Sequence, residues 1–198
     1  MRRKALIIAL FIIWDASTAN STSQESPVVY SQETVDKIRR NSSVPYPSGV
    51  TVRPKPSDSV IVAIILHSTR APDAAISFLR SGRLDLPGPG AHWAVLSDGS
   101  VAFVADEMQK VNHLGRAGRG LRNDNTIAIE SIGMPAFSDA RQVESLVRLV
   151  ADVANRWGIP TNMIFSHAEV FIPSGRKNDM LQQAPAIRKM VDAVRRAE

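Results

Sequence analysis

The chain has 198 residues, no cysteine and a formal net charge of +5. This length suits one domain with a proper core, and no internal repeat is obvious. The absence of cysteine excludes disulfides, a lipid-modified N-terminal cysteine and thiolate ligands, so any zinc site must use His, Asp or Glu. The charge excess is mild and no arginine-dense run accompanies it, so nucleic-acid binding is not favoured.

The first 19 residues have the three parts of a secretory signal peptide. Basic residues 2–4 precede an uncharged apolar stretch at 5–14, and small residues follow at 17–19. The apolar stretch is shorter than the ~20 residues that span a bilayer. We therefore expect cleavage after Ala19 and no stable membrane span afterwards. A secreted chain without cysteine is more typical of bacteria, which predicts a periplasmic or secreted protein of the bacterial envelope.

Residues 20–59 are expected to form a flexible N-terminal segment, with a short helix at 31–40. The segment begins with a Ser-, Thr- and Gln-rich stretch. Prolines at four later positions keep the chain extended, because proline fixes φ and lacks an N–H donor: Pro45, Pro47, Pro54 and Pro56. The folded domain is therefore expected over residues 60–198.

Apolar residues 60–66 predict a strand buried on both faces, which ends at His67 and Ser68. A second short apolar stretch leads into His167 in the same way. The other predicted elements are a helix at 72–81, a Pro/Gly-rich loop at 82–90, a hairpin of 92–96 with 101–104, a cationic loop at 115–125, a strand at 126–132, a helix at 139–157 and a final helix from Pro185. The long helix at 139–157 has Ser138 as its predicted N-cap and Gly158 as its stop.

The four histidines of the chain all lie in the predicted domain. A single histidine is more often a hydrogen-bonded structural residue than a ligand. Here, however, His67 and His167 each end an apolar strand, and Asp179 lies in the loop after the second. Three such ligands with one position left for water are typical of a catalytic zinc site.

Two further side chains are candidates for the chemistry. Glu130 stands within a strand, where a carboxylate is costly without a partner. It is either a general base or one half of a structural salt bridge, and the sequence does not decide between them. Lys177, two residues before Asp179, either directs its charge at an oxyanion or is only solvated.

Seven short motifs follow one another along the chain. They are ILHST at 65–69, AHW at 91–93, DGSV at 98–101, NHLG at 112–115, NTIAIE at 125–130, SHAE at 166–169 and GRKND at 175–179. In this order they resemble zinc-dependent N-acetylmuramoyl-L-alanine amidases, a family that includes phage lysozyme-type amidases, bacterial cell-wall amidases and peptidoglycan recognition proteins. Several ordered motifs are far more specific than any one of them.

The resemblance implies a single α/β domain, with a mixed central β-sheet flanked by helices and a zinc site in a groove at the strand ends. It implies that Zn²⁺ is held by His67, His167 and Asp179. Glu130 would be the catalytic base or acid and Lys177 the second catalytic residue. The implied substrate is peptidoglycan or a muropeptide, cleaved between N-acetylmuramic acid and L-alanine. The enzyme is expected to be a monomer without nucleic-acid partners.

The substrate would be contacted by His113, His92 and Arg116, the last in the cationic loop. Two departures from the family pattern stand out. Ala91 replaces a tyrosine found in many members, which leaves more of the mechanism to Glu130. Met180 and Leu181 replace the usual Pro-Gly after the aspartate, which predicts a freer backbone there. The alternatives are a non-catalytic peptidoglycan recognition module and a zinc peptidase acting on another amide.

Overall fold

The computed structural model describes residues 53–69, 76, 82–83, 86–87, 90–133, 139–175, 177 and 179–197. The predicted signal peptide and the predicted helix at 31–40 lie outside these residues, as does nearly all of the predicted helix at 72–81. Within the described part of the chain, no helix is both long enough and apolar enough to cross a membrane.

The central element is a mixed five-stranded sheet. Its strands are β2 (Ala63–Thr69), β5 (Trp93–Val95), β6 (Val101–Phe103), β8 (Thr126–Ile132) and β9 (Ile164–Ser166). Their order across the sheet is β6-β5-β8-β2-β9. The two long strands β2 and β8 are parallel and lie side by side, β9 is parallel to β2, and β5 is parallel to β8. Only β6 is antiparallel to its neighbour, because it forms a hairpin with β5.

Two helices cover one face of this sheet. They are α1 (Ala140–Trp157) and α3 (Ala184–Ala197), whose apolar stripes pack on alternate residues of the strands. Gly158 ends α1 in the left-handed conformation, as predicted, but the N-cap is Asp139 and not Ser138. Asp139 takes this role because its carboxylate accepts a hydrogen bond from the Arg141 N–H.

The opposite face of the sheet carries the polar residues. Because side chains alternate along a strand, the residues flanking Leu66 on β2 and Ile129 on β8 point away from α1 and α3. This face is partly covered by apolar residues that follow the hairpin, including Leu114 and Leu121. The short helix α2 (His167–Val170) follows β9 directly and contacts both β9 and β2.

Residues 53–59 belong to the folded unit, although we placed them in the flexible segment. The strand β1 (Arg53–Pro54) pairs with β7 (Gln109–Lys110). Lys55 is buried, and its ammonium donates to the backbone carbonyls of Glu107 and Thr126. The remaining described strands, β3 (Gly82–Arg83) and β4 (Leu86–Pro87), form a separate antiparallel pair within the predicted Pro/Gly-rich loop.

Candidate metal centre

The two histidines at strand ends become neighbours because their strands are paired. Leu66 of β2 lies opposite Ser166 of β9, and each is followed by a histidine. The ring centroids of His67 and His167 are 4.6 Å apart. A parallel pair thus brings together two residues that are 100 positions apart in the sequence, as strand-end placement predicts.

Asp179 completes a compact cluster with these histidines. Its Oδ2 atom lies 3.2 Å from His167 Nδ1 and 3.5 Å from His67 Nδ1. The three potential ligand atoms all lie within 4.8 Å of one another. The pKa of Asp179 is held below its usual range: burial alone would raise it, but the contacts with His167 and His67 outweigh burial.

The donor atoms of the cluster suit a cation. His167 Nε2 lies 3.1 Å from the Leu114 carbonyl, which can only accept, so this nitrogen carries a proton, and Nδ1, the atom that faces Asp179, is the nitrogen that can bind a cation. Burial lowers the pKa of His67, which favours its neutral form. Two imidazoles and one carboxylate are a ligand set that Zn²⁺ accepts, with one position left open.

The position of His167 is fixed by the start of α2. Ser166 caps this helix, its hydroxyl accepting from the Glu169 N–H while the Glu169 carboxylate accepts from the Ser166 N–H. Arg188 of α3 in turn forms two hydrogen bonds to the Glu169 carboxylate, both of 2.9 Å. His167 therefore stands on a helix terminus that is tied to the long C-terminal helix.

Met180 fixes the chain immediately after Asp179, contrary to the freer backbone expected there. Its side chain is buried in the core beneath the sheet, and its φ of 60° is left-handed. Its carbonyl accepts from the N–H groups of Gln183 and Ala184, at the start of α3. A residue that is anchored at both its side chain and its carbonyl leaves little freedom to the preceding carboxylate.

Glu130 lies beside the cluster on β8, directly opposite His67 of β2. It is only 7% exposed, and burial raises its pKa to about 8, with a smaller contribution from the charge of Asp179. A carboxyl group that exchanges its proton near neutral pH is suited to general acid–base chemistry. No salt bridge from an arginine to Glu130 is present among the described residues, so the predicted structural alternative has no support there.

Lys177 is partly buried near the same cluster. Its ammonium lies 5.8 Å from the centroid of the Phe171 ring, and its charge lowers the pKa of both Glu130 and His67. The cation therefore acts electrostatically on the site. Its predicted catalytic role stays a prediction.

The three predicted substrate contacts have different placements. His92 is completely buried: its Nδ1 accepts from the Ala128 N–H at 2.8 Å, and its Nε2 is 3.0 Å from the Gln109 carbonyl. Because both ring nitrogens are satisfied by backbone groups, we assign His92 a structural role instead of the predicted substrate contact. Arg116 is exposed, and its substrate contact stays a prediction.

His113 is 9% exposed and contacts His67 at the ring nitrogen that does not face Asp179. Its Nδ1 lies 3.0 Å from His67 Nε2, and its Nε2 lies 2.9 Å from the Thr126 hydroxyl. Because both ring nitrogens are engaged by protein groups, we assign His113 a role in supporting the His67 ring instead of the predicted substrate contact. Sequence reasoning missed Thr126, although it is a hydroxyl residue at the start of a strand whose next three residues are apolar.

The chain matches one protein family over most of its length. Residues 57–182 match the family described as N-acetylmuramoyl-L-alanine amidase. No curated protein is similar to the chain at a significant level.

Several solved structures are similar to this chain. AmpD is 19% identical with a TM-score of 0.59, and the similarity covers 71% of this chain and 89% of AmpD. The endolysin LysCS from Clostridium intestinale URNW, an N-acetylmuramoyl-L-alanine amidase, is 18% identical with a TM-score of 0.54, covering 72% of this chain and 91% of LysCS. AmpDh3 from Pseudomonas aeruginosa, solved with an anhydromuramic pentapeptide, is 19% identical with a TM-score of 0.53, covering 73% of this chain and 66% of AmpDh3.

At these identities the solved structures establish the shared fold alone. The family match says more about the site, because the matched residues include the paired strands, Glu130 and the whole histidine–aspartate cluster. Since it extends over more than half of the sequence, this chain belongs to the N-acetylmuramoyl-L-alanine amidase family.

Proposed function

We propose that this protein is a zinc-dependent amidase, which cleaves the amide bond between the lactyl group of N-acetylmuramic acid and the L-alanine of the stem peptide. The observation that carries the proposal is the convergence of His67, His167 and Asp179 beside Glu130, a carboxyl group with a pKa of about 8. A recognition module that only binds peptidoglycan would not require a carboxyl group poised for proton transfer at that position.

The three converging residues would hold Zn²⁺ through His67 Nδ1, His167 Nδ1 and an Asp179 carboxylate oxygen. When bound, Zn²⁺ would supply Lewis-acid activation of water and of the scissile carbonyl. Glu130 accepts a proton from the attacking water and delivers it to the leaving nitrogen, so that the C–N bond breaks without release of an amide anion. Lys177 offers its charge to the oxygen of the tetrahedral intermediate.

The substrate is proposed to be peptidoglycan or a muropeptide. The family match supports the sugar–peptide linkage, and the complex of AmpDh3 with an anhydromuramic pentapeptide supports a muropeptide for a protein of the same fold. Exposed Arg116 offers a cation for the carboxylates of the stem peptide. Sugar-free peptides would be poor substrates, which separates this activity from that of a general zinc peptidase.

The decisive experiment is mass spectrometry of purified muropeptides after incubation with zinc-loaded protein. We expect release of the intact stem peptide from the sugar, lost after chelation and in the His167→Ala variant. Asp152→Asn is the matched control, because Asp152 pairs with Arg156 within α1 and is no part of the cluster. Absence of release despite bound zinc would refute the amidase and favour the recognition module.

We also propose that the protein is exported and that its first 19 residues are removed. The proposal rests on the basic, apolar and small-residue pattern of residues 2–19. N-terminal sequencing of protein recovered from the bacterial periplasm is expected to begin at Asn20. Recovery of uncleaved protein in the cytoplasm would contradict it.

A further inference from the structure

Residues 113 and 114 supply the outer partner of both histidine ligands. The His113 ring contacts His67 Nε2 at 3.0 Å, and the Leu114 carbonyl contacts His167 Nε2 at 3.1 Å. Each ligand thus directs one ring nitrogen at this dipeptide and the other at Asp179. The two ligands are oriented by one short stretch of chain.

This dipeptide is itself held in place. The side-chain oxygen of Asn123 accepts from the backbone N–H of His113 at 3.2 Å and of Leu114 at 3.0 Å. Both outer partners therefore share a single anchor. A shift of this loop would turn both ligand rings together.

The proton positions along the His67–His113 contact follow from Thr126. Its hydroxyl lies 2.7 Å from the Arg122 carbonyl, and since a carbonyl can only accept, the hydroxyl donates its one hydrogen there. At 2.9 Å from His113 Nε2 it must then accept, so His113 carries its proton on Nε2. His113 Nδ1 is consequently an acceptor for the Nε2–H of His67.

The consequence lies at the other nitrogen of His67. A neutral imidazole with its proton on Nε2 has a lone pair on Nδ1, the atom that faces Asp179. If His113 carried its proton on Nδ1, it would present a donor to His67 Nε2 and force the His67 proton onto Nδ1. That arrangement would close the ligand position.

We propose that the hydrogen-bonded chain Arg122 carbonyl–Thr126–His113 sets the tautomer of His67 and thereby keeps Nδ1 of His67 open for Zn²⁺. His113 and Thr126 are positioning residues: they act through His67 and do not touch the substrate. The inference rests on the proposed function, because it concerns the support of a proposed zinc ligand. Outer partners of this kind usually contribute about 10–100-fold to metal affinity.

Thr126 allows a sharp test. Thr126→Val keeps the branched shape of a buried strand residue and removes the hydroxyl, whereas Thr126→Ser keeps the hydroxyl. Two readouts are needed: nitrogen-15 NMR of the histidine rings in metal-free protein, and zinc affinity measured by competition with a chelating dye. Circular dichroism of all three proteins checks that the fold is retained.

In wild-type and Thr126→Ser protein we expect His113 and His67 protonated at Nε2. In Thr126→Val we expect His113 to lose this single tautomer and zinc affinity to fall about 10–100-fold. A wild-type His113 protonated on Nδ1, or equal zinc affinity of the valine variant and wild type, would overturn the inference. Failure of the proposed function looks different, because wild-type protein would then bind no zinc or would bind zinc without cleaving muropeptides.

Should Thr126→Val not fold, His113→Asn provides the second variant. Its side-chain oxygen can take the place of the Nδ1 acceptor, so we expect His67 to keep its proton on Nε2 and zinc binding to persist. His113→Leu removes the acceptor and is expected to lose that tautomer together with the affinity. Equal zinc affinity of the asparagine and leucine variants would overturn the inference.

Discussion

Glu130 and His67 lie directly opposite each other on the parallel strands β8 and β2, so their side chains leave the same face of the sheet side by side. On its other side Glu130 is paired with Ala94 of β5, a small residue. The fold thus buries a carboxyl group next to a proposed zinc ligand, in the middle strand of the sheet. Burial is what raises its pKa to about 8.

Replacement of this carboxyl group tests its role in proton transfer. Glu130→Gln keeps the size of the side chain and removes its ability to exchange a proton. We expect muropeptide hydrolysis to fall by about 10²–10⁴-fold, the usual contribution of general acid–base catalysis. Zinc affinity should be retained, since Glu130 is not one of the three converging ligands.

The matched control is Glu144→Gln on α1, where the carboxylate pairs with Arg148. It should leave both hydrolysis and zinc affinity unchanged. If Glu130→Gln hydrolysed muropeptides at the wild-type rate, the proton-transfer role of Glu130 would be wrong. Loss of zinc from this variant would instead indicate a structural role.

The buried ring of His92 predicts how stability depends on pH. Burial lowers the pKa of His92 to about 3 from its ordinary 6.5. Between these values the unfolded chain binds a proton that the folded protein excludes, so stability falls as pH drops from 6.5 towards 3. Each unit of pKa difference corresponds to about 1.4 kcal/mol, which makes His92 a substantial source of acid sensitivity.

His92→Asn removes the titrating group and keeps an acceptor for the Ala128 N–H. In urea unfolding of metal-free protein at a series of pH values, the variant should start less stable near neutrality. Its stability should then decline less steeply than that of wild type between pH 6.5 and 3, the window given by the two pKa values. Parallel curves for the two proteins would show that His92 does not titrate on unfolding.

The sequence was most informative where regular patterns were involved. The apolar run at 60–66 predicted β2, the alternation around Glu130 predicted β8, and strand-end placement predicted that His67 and His167 would meet. The stop at Gly158 was predicted because its left-handed conformation is one that glycine adopts readily. These features depend on local residue types and on the alternation of side chains along a strand.

The hydrogen-bond partners of the buried residues around the site could not be predicted in this way. His92 and His113 look alike in the sequence, yet one bonds the backbone of β8 and the other bonds His67. Which partner each ring meets depends on how the loops cross the sheet, and neither periodicity nor spacing encodes that. Lys55 was misplaced for the same reason: its partners, the carbonyls of Glu107 and Thr126, lie 52 and 71 residues away.

Met180 is expected to influence metal binding through the backbone of Asp179. Met180→Ala removes a buried side chain and should lower the free energy of unfolding by about 2–5 kcal/mol. With its anchor gone, the adjacent carboxylate is held less firmly, so zinc affinity should also fall. Met180→Leu conserves volume and should cost less than about 1.5 kcal/mol.

Met190→Ala on α3 separates general destabilisation from local positioning. Met190 packs against the same core but, unlike Met180, is not adjacent in the sequence to a proposed ligand. We expect this variant to lose stability while it keeps wild-type zinc affinity in the chelator competition assay. If Met180→Ala also kept wild-type zinc affinity, the anchoring of Asp179 by Met180 would have no functional consequence.

Glu107 links the sheet to α1 through a buried carboxylate. The residue is 1% exposed, and its two oxygens accept hydrogen bonds from the side chains of Trp93, Arg156 and Trp157, at 2.7, 2.9 and 2.6 Å respectively. All three partners are donors. A carboxylate, which only accepts, is therefore the group that satisfies this site.

Glu107→Gln would place an amide NH₂ against one of these donors and leave the Arg156 charge without its buried partner. We expect a loss of about 2–4 kcal/mol in the free energy of unfolding, measured by urea denaturation with an unchanged m value. Glu144→Gln, at a more exposed ion pair of α1, should cost less than about 1 kcal/mol. Equal losses in the two variants would show that the buried carboxylate contributes no more than a surface ion pair, because its desolvation then cancels the three hydrogen bonds.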